Sequence, residues 1–166
     1  MKKAFVILLC VMAFSLASCN KEKPNEKFVG TYIGVPTATG TVSLNGEPFP
    51  EFENQELPQL TMIIAAGDKK DQVTATCLMD DQTQVVNGIV DETTVDFDPT
   101  TLKFKIGDLG DLELEATVDL NAMLSNANLV LAGTAVSEGE IEMPIIGALP
   151  YKAEATISGT LLKQAQ

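Results

Sequence analysis

Three observations predict an all-β body for this 166-residue chain. From Phe28 onward the apolar period is two residues. Turn signals recur at intervals of roughly 8–15 residues. After residue 18 no helical stripe is longer than two turns. The favoured architecture is an antiparallel up-and-down β-barrel. A two-sheet β-sandwich is the alternative, because it has the same in–out alternation. Sequential hairpins favour the meander, and closure into a barrel removes exposed strand edges.

The segments follow in order. Residues 28–35 and 39–44 are the first two expected strands, and Asn45-Gly46 is a strong hairpin signal. Residues 47–58 hold three prolines and four acids and are expected to form a loop, with Phe49 and Phe52 inside it. Residues 59–66 read as a strand apolar on both sides. Residues 72–79 alternate Val73, Ala75, Cys77 and Met79 against Thr74 and Thr76. Residues 84–90 and 94–97 follow, then Leu102, Phe104 and Ile106 alternating with Lys103 and Lys105. The clearest strand is 111–120. It sets Leu112, Leu114, Ala116, Val118 and Leu120 on one side and Glu113, Glu115, Thr117 and Asp119 on the other. One buried and one wet face is the mark of an antiparallel sheet. Residues 121–126 read as a turn or a single helical turn. Residues 128–136, 140–146 and 151–162 complete about nine or ten short strands.

The chain begins with an address. Lys2 and Lys3 precede an apolar run of 13 residues from Ala4 to Leu16, and Leu16-Ala17-Ser18-Cys19 follows. A positive start, a short apolar core and small residues before a cut describe a secretory signal. The run falls short of the roughly 20 residues of a spanning helix. The final four residues resemble the lipobox of bacterial lipoproteins. That resemblance implies cleavage before Cys19 and attachment of lipid to its sulfur and new amino group. The expected organisation is a signal peptide at 1–18, a lipidated Cys19 with a polar tether to residue 27, and one domain at 28–166. Lys21-Glu22-Lys23 resembles, in part, the charged export signals of Bacteroidota surface lipoproteins, and an ordinary solvated linker is the alternative. The expected location is the outer membrane, on its periplasmic or cell-surface side, with the membrane as a partner through the lipid.

Composition excludes several classes. Loss of residues 1–18 would leave 9 lysines against 23 acids, a net charge of about −14 that repels nucleic acid. There is no His, no Arg and no Trp. Serine-type triads, His-based metal sites and bidentate phosphate clamps are therefore absent. Of three cysteines Cys10 leaves with the signal and Cys19 takes the lipid. Cys77 is then alone, and no internal disulfide can form. A strand cysteine without a basic neighbour behaves as a small hydrophobe. No cofactor is expected.

Both ends of the domain resemble a known group. Val29-Gly30-Thr31-Tyr32-Ile33-Gly34 is similar to the opening strand of the calycins, which include lipocalins and avidins. Ala155–Leu161 resembles the closing strand of calycin-like lipoproteins of the Bacteroidota type. Val118–Leu124 followed by Asn128–Leu131 is similar to a strand–turn–strand of that group. The resemblance implies an eight-stranded or similar barrel with no catalytic residues, and at most a small-molecule cavity. Tyr32 stands where a lipocalin has Trp. The Arg that packs on that Trp cannot exist here, so the barrel floor is expected to be built differently.

The ligand-binding candidates are Tyr32, Phe49, Phe52, Leu112, Leu114, Ala116, Val118 and Leu120. Tyr32 either lines a pocket or plugs the core. Phe49 and Phe52 either gate the barrel mouth or fold back into it. Asp91, Glu92, Asp96 and Asp98 form one acidic cluster and Asp108 and Asp111 another, without EF-hand or RTX spacing, so solvated loops are the simpler reading. Glu113 and Glu115 share a strand face at about 7 Å, but on its wet side and without Trp for a sugar, so hydrolysis is not expected. Two non-enzymatic functions remain. The first is a module holding a small apolar or amphipathic ligand inside the barrel. The alternative is a structural or accessory surface lipoprotein with a filled interior, acting through protein contacts. A cavity of about 300 Å³ or more separates them.

Overall fold

A computed structural model of the chain describes residues 23–105, 113–143 and 147–165. The signal segment, Cys19 and Leu112 lie outside the described residues, as does the side chain of Leu114. A 3-10 turn, Pro24–Phe28, precedes twelve β segments. These are β1 (Gly30–Gly34), β2 (Thr37–Leu44), β3 (Glu47–Pro48), β4 (Phe52–Glu56), β5 (Leu60–Ala66), β6 (Gln72–Met79), β7 (Gln82–Asp91), β8 (Thr94–Phe97), β9 (Thr100–Lys105), β10 (Glu113–Ser125), β11 (Asn128–Met143) and β12 (Gly147–Lys163).

The segments merge into eight antiparallel staves of a closed barrel. β1 and β2 form one bent stave, β3 to β5 the next, and β8 with β9 the fifth. Each stave pairs with the one before it. β12 closes the ring on both β1 (Ile33↔Leu162) and β2 (Ile157↔Ala38). The meander therefore wins over the sandwich, with a physical reason: closure pairs the first stave with the last, which a two-sheet stack leaves as edges.

Three boundaries differ from the sequence reading. Residues 47–58 are not a loop, because β3 and β4 pair with β2 beyond the barrel rim. This ribbon is wet on both faces, so it carries no apolar alternation to betray it. Residues 121–126 are not a turn. β10 runs on to Ser125, with Ala122 inward and buried while Met123 points out. The turn comes at Asn126-Ala127, both at positive φ, as a two-residue hairpin of this hand requires. Residues 128–136 and 140–146 are not separate strands, since β11 is continuous from Asn128 to Met143 and pairs with β12 throughout. In place of nine or ten short strands there are twelve segments joined into eight staves, of which the last three are long. The Asn45-Gly46 hairpin is as expected, with φ of 53° and 82°.

Turns at 67–71, 92–93 and 126–127 define one end of the barrel, the floor. The hairpins at 45–46 and 80–81 lie at the other end, the mouth. The core fills the floor half with Phe28, Tyr32, Met62, Ile64, Leu129, Leu131 and Leu161, all nearly fully buried. A second cluster, Ala116, Val118 and Ile157, sits among the longer strands towards the mouth.

Candidate functional site

The floor is sealed by its own sequence. Pro24 starts the 3-10 turn that carries Phe28 into the barrel. Asn25 is buried, and its Nδ2 donates to the carbonyls of Lys69 (2.9 Å) and Gln72 (2.8 Å), pinning the turn to the β5–β6 connection. Tyr32 is wholly buried and its hydroxyl donates to the Phe28 carbonyl at 2.9 Å. Burial raises its pKa. The Lys163 Nζ lies 5.5 Å from the Tyr32 ring centroid, within cation–π range. The closing stave therefore lays a cation on the aromatic ring of the opening stave. Tyr32 is a floor plug and does not line the cavity.

Above the floor the described side chains leave a cavity of about 50 Å³. Its walls are almost wholly apolar: Met62 and Met79 from one side, Val86 and Phe97 from the next, and Val118, Leu120 and Leu131 from the long strands. Of the sequence-expected residues, Val118 and Leu120 line this cavity. Ala116 is buried nearby against Val118 and Ile157 but is not part of the cavity wall. Phe49 is 51% exposed and Phe52 half-buried, both on the rim ribbon, and neither reaches the cavity. The wall residues missed from sequence, Met79, Val86, Phe97 and Leu102 among them, carry the same in–out parity as Val118 and Leu120. Their strands are shorter and their alternation less regular.

Cys77 also faces the cavity, and burial pushes its thiol up to about 11. It is protonated at neutral pH and is no nucleophile.

Beside the cavity the barrel wall is incompletely laddered. β7 pairs with β8 only over Gly88–Asp91, with one further bond from the Asp98 N–H to the Asn87 carbonyl at 2.8 Å. Beyond that point β9 swings away to pair with β10. Among the described residues no backbone ladder joins Gln82–Val86 to β9. A side chain bridges the gap instead. The Gln82 Nε2 donates to the Lys103 carbonyl at 2.5 Å, and the Lys103 N–H donates to the Gln82 Oε1 at 3.1 Å. Gln82, Gln84, Asp98 and Thr100, which flank this slit in sequence, belong to the lining of the cavity.

On the outside of the long strands an open groove of about 430 Å³ is lined by Thr101, Glu115, Thr117, Val136, Glu138, Lys152 and Glu154. Lys152 meets Glu154 at 2.6 Å and Lys103 meets Glu115 at 3.5 Å. The hydrogen bond and charge of Glu154 raise the Lys152 pKa. These are exposed pairs, of a kind that adds little to stability. Among the described residues no group of three or more acidic, Cys or His side chains is arranged to hold a metal, and Asp108 and Asp111 lie outside them.

No family model matches the chain, and no curated protein does. Among solved structures, the monomer form of the sensor domain of PknI from M. tuberculosis is similar at 14% identity over 83% of this chain and 96% of that one. Its TM-score is 0.33, so the likeness is slight.

Proposed function

We propose that this chain is a lipid-anchored, non-enzymatic binding module of the outer membrane that acts through protein contacts. The alternative role, carriage of a small apolar ligand inside the barrel, is the weaker reading. One observation supports this order. Among the described residues the apolar cavity holds about 50 Å³, against roughly 300 Å³ for the smallest usual ligand sites. That space takes a water or a methyl-sized group, and a fatty chain has no room in it. The anchor rests on the Leu16–Cys19 motif, and the acyl chains it implies are enough for stable attachment.

The test is a titration of the full lipidated protein in detergent-free nanodiscs with cis-parinaric acid, read by its fluorescence. The expected result is no saturable binding above that of empty discs. Stoichiometric uptake, displaced by unlabelled fatty acid, would restore the carrier reading. Labelled palmitate should enter the wild-type chain in a bacterial host and not Cys19→Ser.

A further inference from the structure

Among the described residues the slit between β7 and β9 leaves strand backbone unladdered on both of its walls, directly beside the apolar cavity. In an antiparallel strand the N–H and C=O of one residue point to the same neighbour, and alternate residues share that neighbour. The Asn87 carbonyl accepts from Asp98, so the odd residues of β7 face β8 and its continuation. Thr83 and Val85 therefore aim their backbone groups into the slit. On the opposite wall Lys103 faces the slit through its bonds with Gln82, so Thr101 does too. Among the described residues the backbone N–H and C=O of Thr83, Val85 and Thr101 have no partner in the protein. Val85 and Thr83 are exposed, Val85 by 62%. Two strand edges thus face each other across one gap, with an apolar cavity behind them.

We propose that this slit is a strand-addition site for an extended peptide segment of a protein partner, one with alternating apolar residues and basic ends. This rests on the reading of the molecule as a contact module. Only a polypeptide presents donors and acceptors at the spacing of both walls. Gln82 through Val86 offers five residues, or roughly 16 Å, of open edge. Added between antiparallel walls, the segment pairs antiparallel with one and parallel with the other. Alternate side chains point inward to Val86, Phe97 and Leu102. Asp80 and Asp81 stand at one end of the slit and Asp98 at the other, which favours Lys or Arg at the segment's two ends. The Gln82 amide occupies the site when it is empty. It satisfies Lys103 and blocks non-specific edge pairing.

The probe is a fluorescein-labelled peptide, Lys-Val-Thr-Val-Thr-Val-Lys, titrated against the full lipidated protein in nanodiscs. Controls are the same peptide with a central proline and one with glutamate ends. Saturable binding is expected, weakened at least tenfold by proline and several-fold by glutamate. Gln82→Ala should tighten it by removing the competing amide. Val85→Pro removes a slit-facing N–H while leaving the bonds to β6, and should weaken binding about fivefold. Hydrogen exchange on the wild-type protein keeps the test independent of any variant's folding. The amides of Thr83, Val85 and Thr101 should exchange fast in the free protein and slow when peptide saturates it. Protection of those amides in the free protein overturns the proposal. So does peptide binding that ignores the proline, or protection arising from self-association of this chain without peptide. Failure here together with no fatty-acid uptake leaves the contact reading intact and moves the contact elsewhere. Failure here with fatty-acid uptake removes both.

Discussion

Single side chains decide how the barrel is closed. Tyr32 joins the first stave to the 3-10 turn through one buried hydrogen bond. Tyr32→Phe leaves the Phe28 carbonyl without that donor in an apolar site and should cost about 1–3 kcal/mol in urea unfolding. An unchanged midpoint would show that the floor is wetter than its packing indicates. Cys77 gives a pH signature. Its neutral thiol is favoured in the fold, with a pKa of about 11 against an ordinary value of 9.0. The stabilisation is complete below pH 9 and is lost as pH rises from 9 through 11, because the unfolded chain sheds the proton first. Tyr32 adds a loss of the same sign from about pH 10 upward. Urea midpoints at pH 8 and pH 10.5 should fall more in the wild-type protein than in Cys77→Ala. Equal falls would assign the alkaline loss to other groups. Residue roles were only partly legible: Val118 and Leu120 were placed at the interior from one strand's alternation, whereas the exposure of Phe49 depends on a ribbon that no local pattern reveals.

At the scale of elements, two glycines permit neighbouring staves to approach closely. Gly34 lies at the β1–β2 corner. A Cβ there would come 2.5 Å from the Thr160 carbonyl oxygen and 2.9 Å from Leu161 Cδ2, both on the closing stave. Gly133 in β11 faces the Asp119 carbonyl and Leu120 in the same way. Gly34→Ala should destabilise by about 1–3 kcal/mol, because the obstacle is backbone and the seam between first and last staves must open. Thermal unfolding checks this, and a Tm equal to wild type would mean that the seam is not closed. The 3-10 turn behaves as a single clip. Asn25→Ala removes two donors to the β5–β6 connection and should cost about 1–3 kcal/mol, with faster exchange confined to residues 67–72. Strand existence was legible here and strand length was not. A period of two says that a residue pair alternates, but continuation through Asn121–Ser125 is set by pairing with β8 and β11.

Across the whole molecule, charge and packing divide by end. Lys23, Lys27, Lys69, Lys70 and Lys163 lie at the floor, where the chain emerges from residue 23. The mouth and its projecting strands carry most of the acids, among them Glu47, Glu51, Glu53, Glu56, Glu138, Glu140 and Glu142. Repulsion among these acids opposes the compact state and is screened by salt. Raising NaCl from 20 to 500 mM should therefore raise Tm, and a fall would mean that ion pairs such as Lys103–Glu115 outweigh the repulsion. An anchor at Cys19 would set the nearly balanced floor against the membrane and turn the acidic mouth outward.

The sequence by itself determined the all-β class, the lack of His, Arg and Trp chemistry and the place of Cys77 in an alternating strand. These follow from composition and from period-two alternation, which are local properties. Tertiary structure alone decided barrel over sandwich, since both satisfy the same alternation and only the pairing of β12 with β1 and β2 tells them apart. It also decided the small size of the apolar cavity among the described residues, because cavity volume depends on how eight staves tilt and which side chains meet. The slit beside Gln82 exists for the same kind of reason. β9 leaves β7 to pair with β10, a choice between two partners distant in sequence that no window of residues contains.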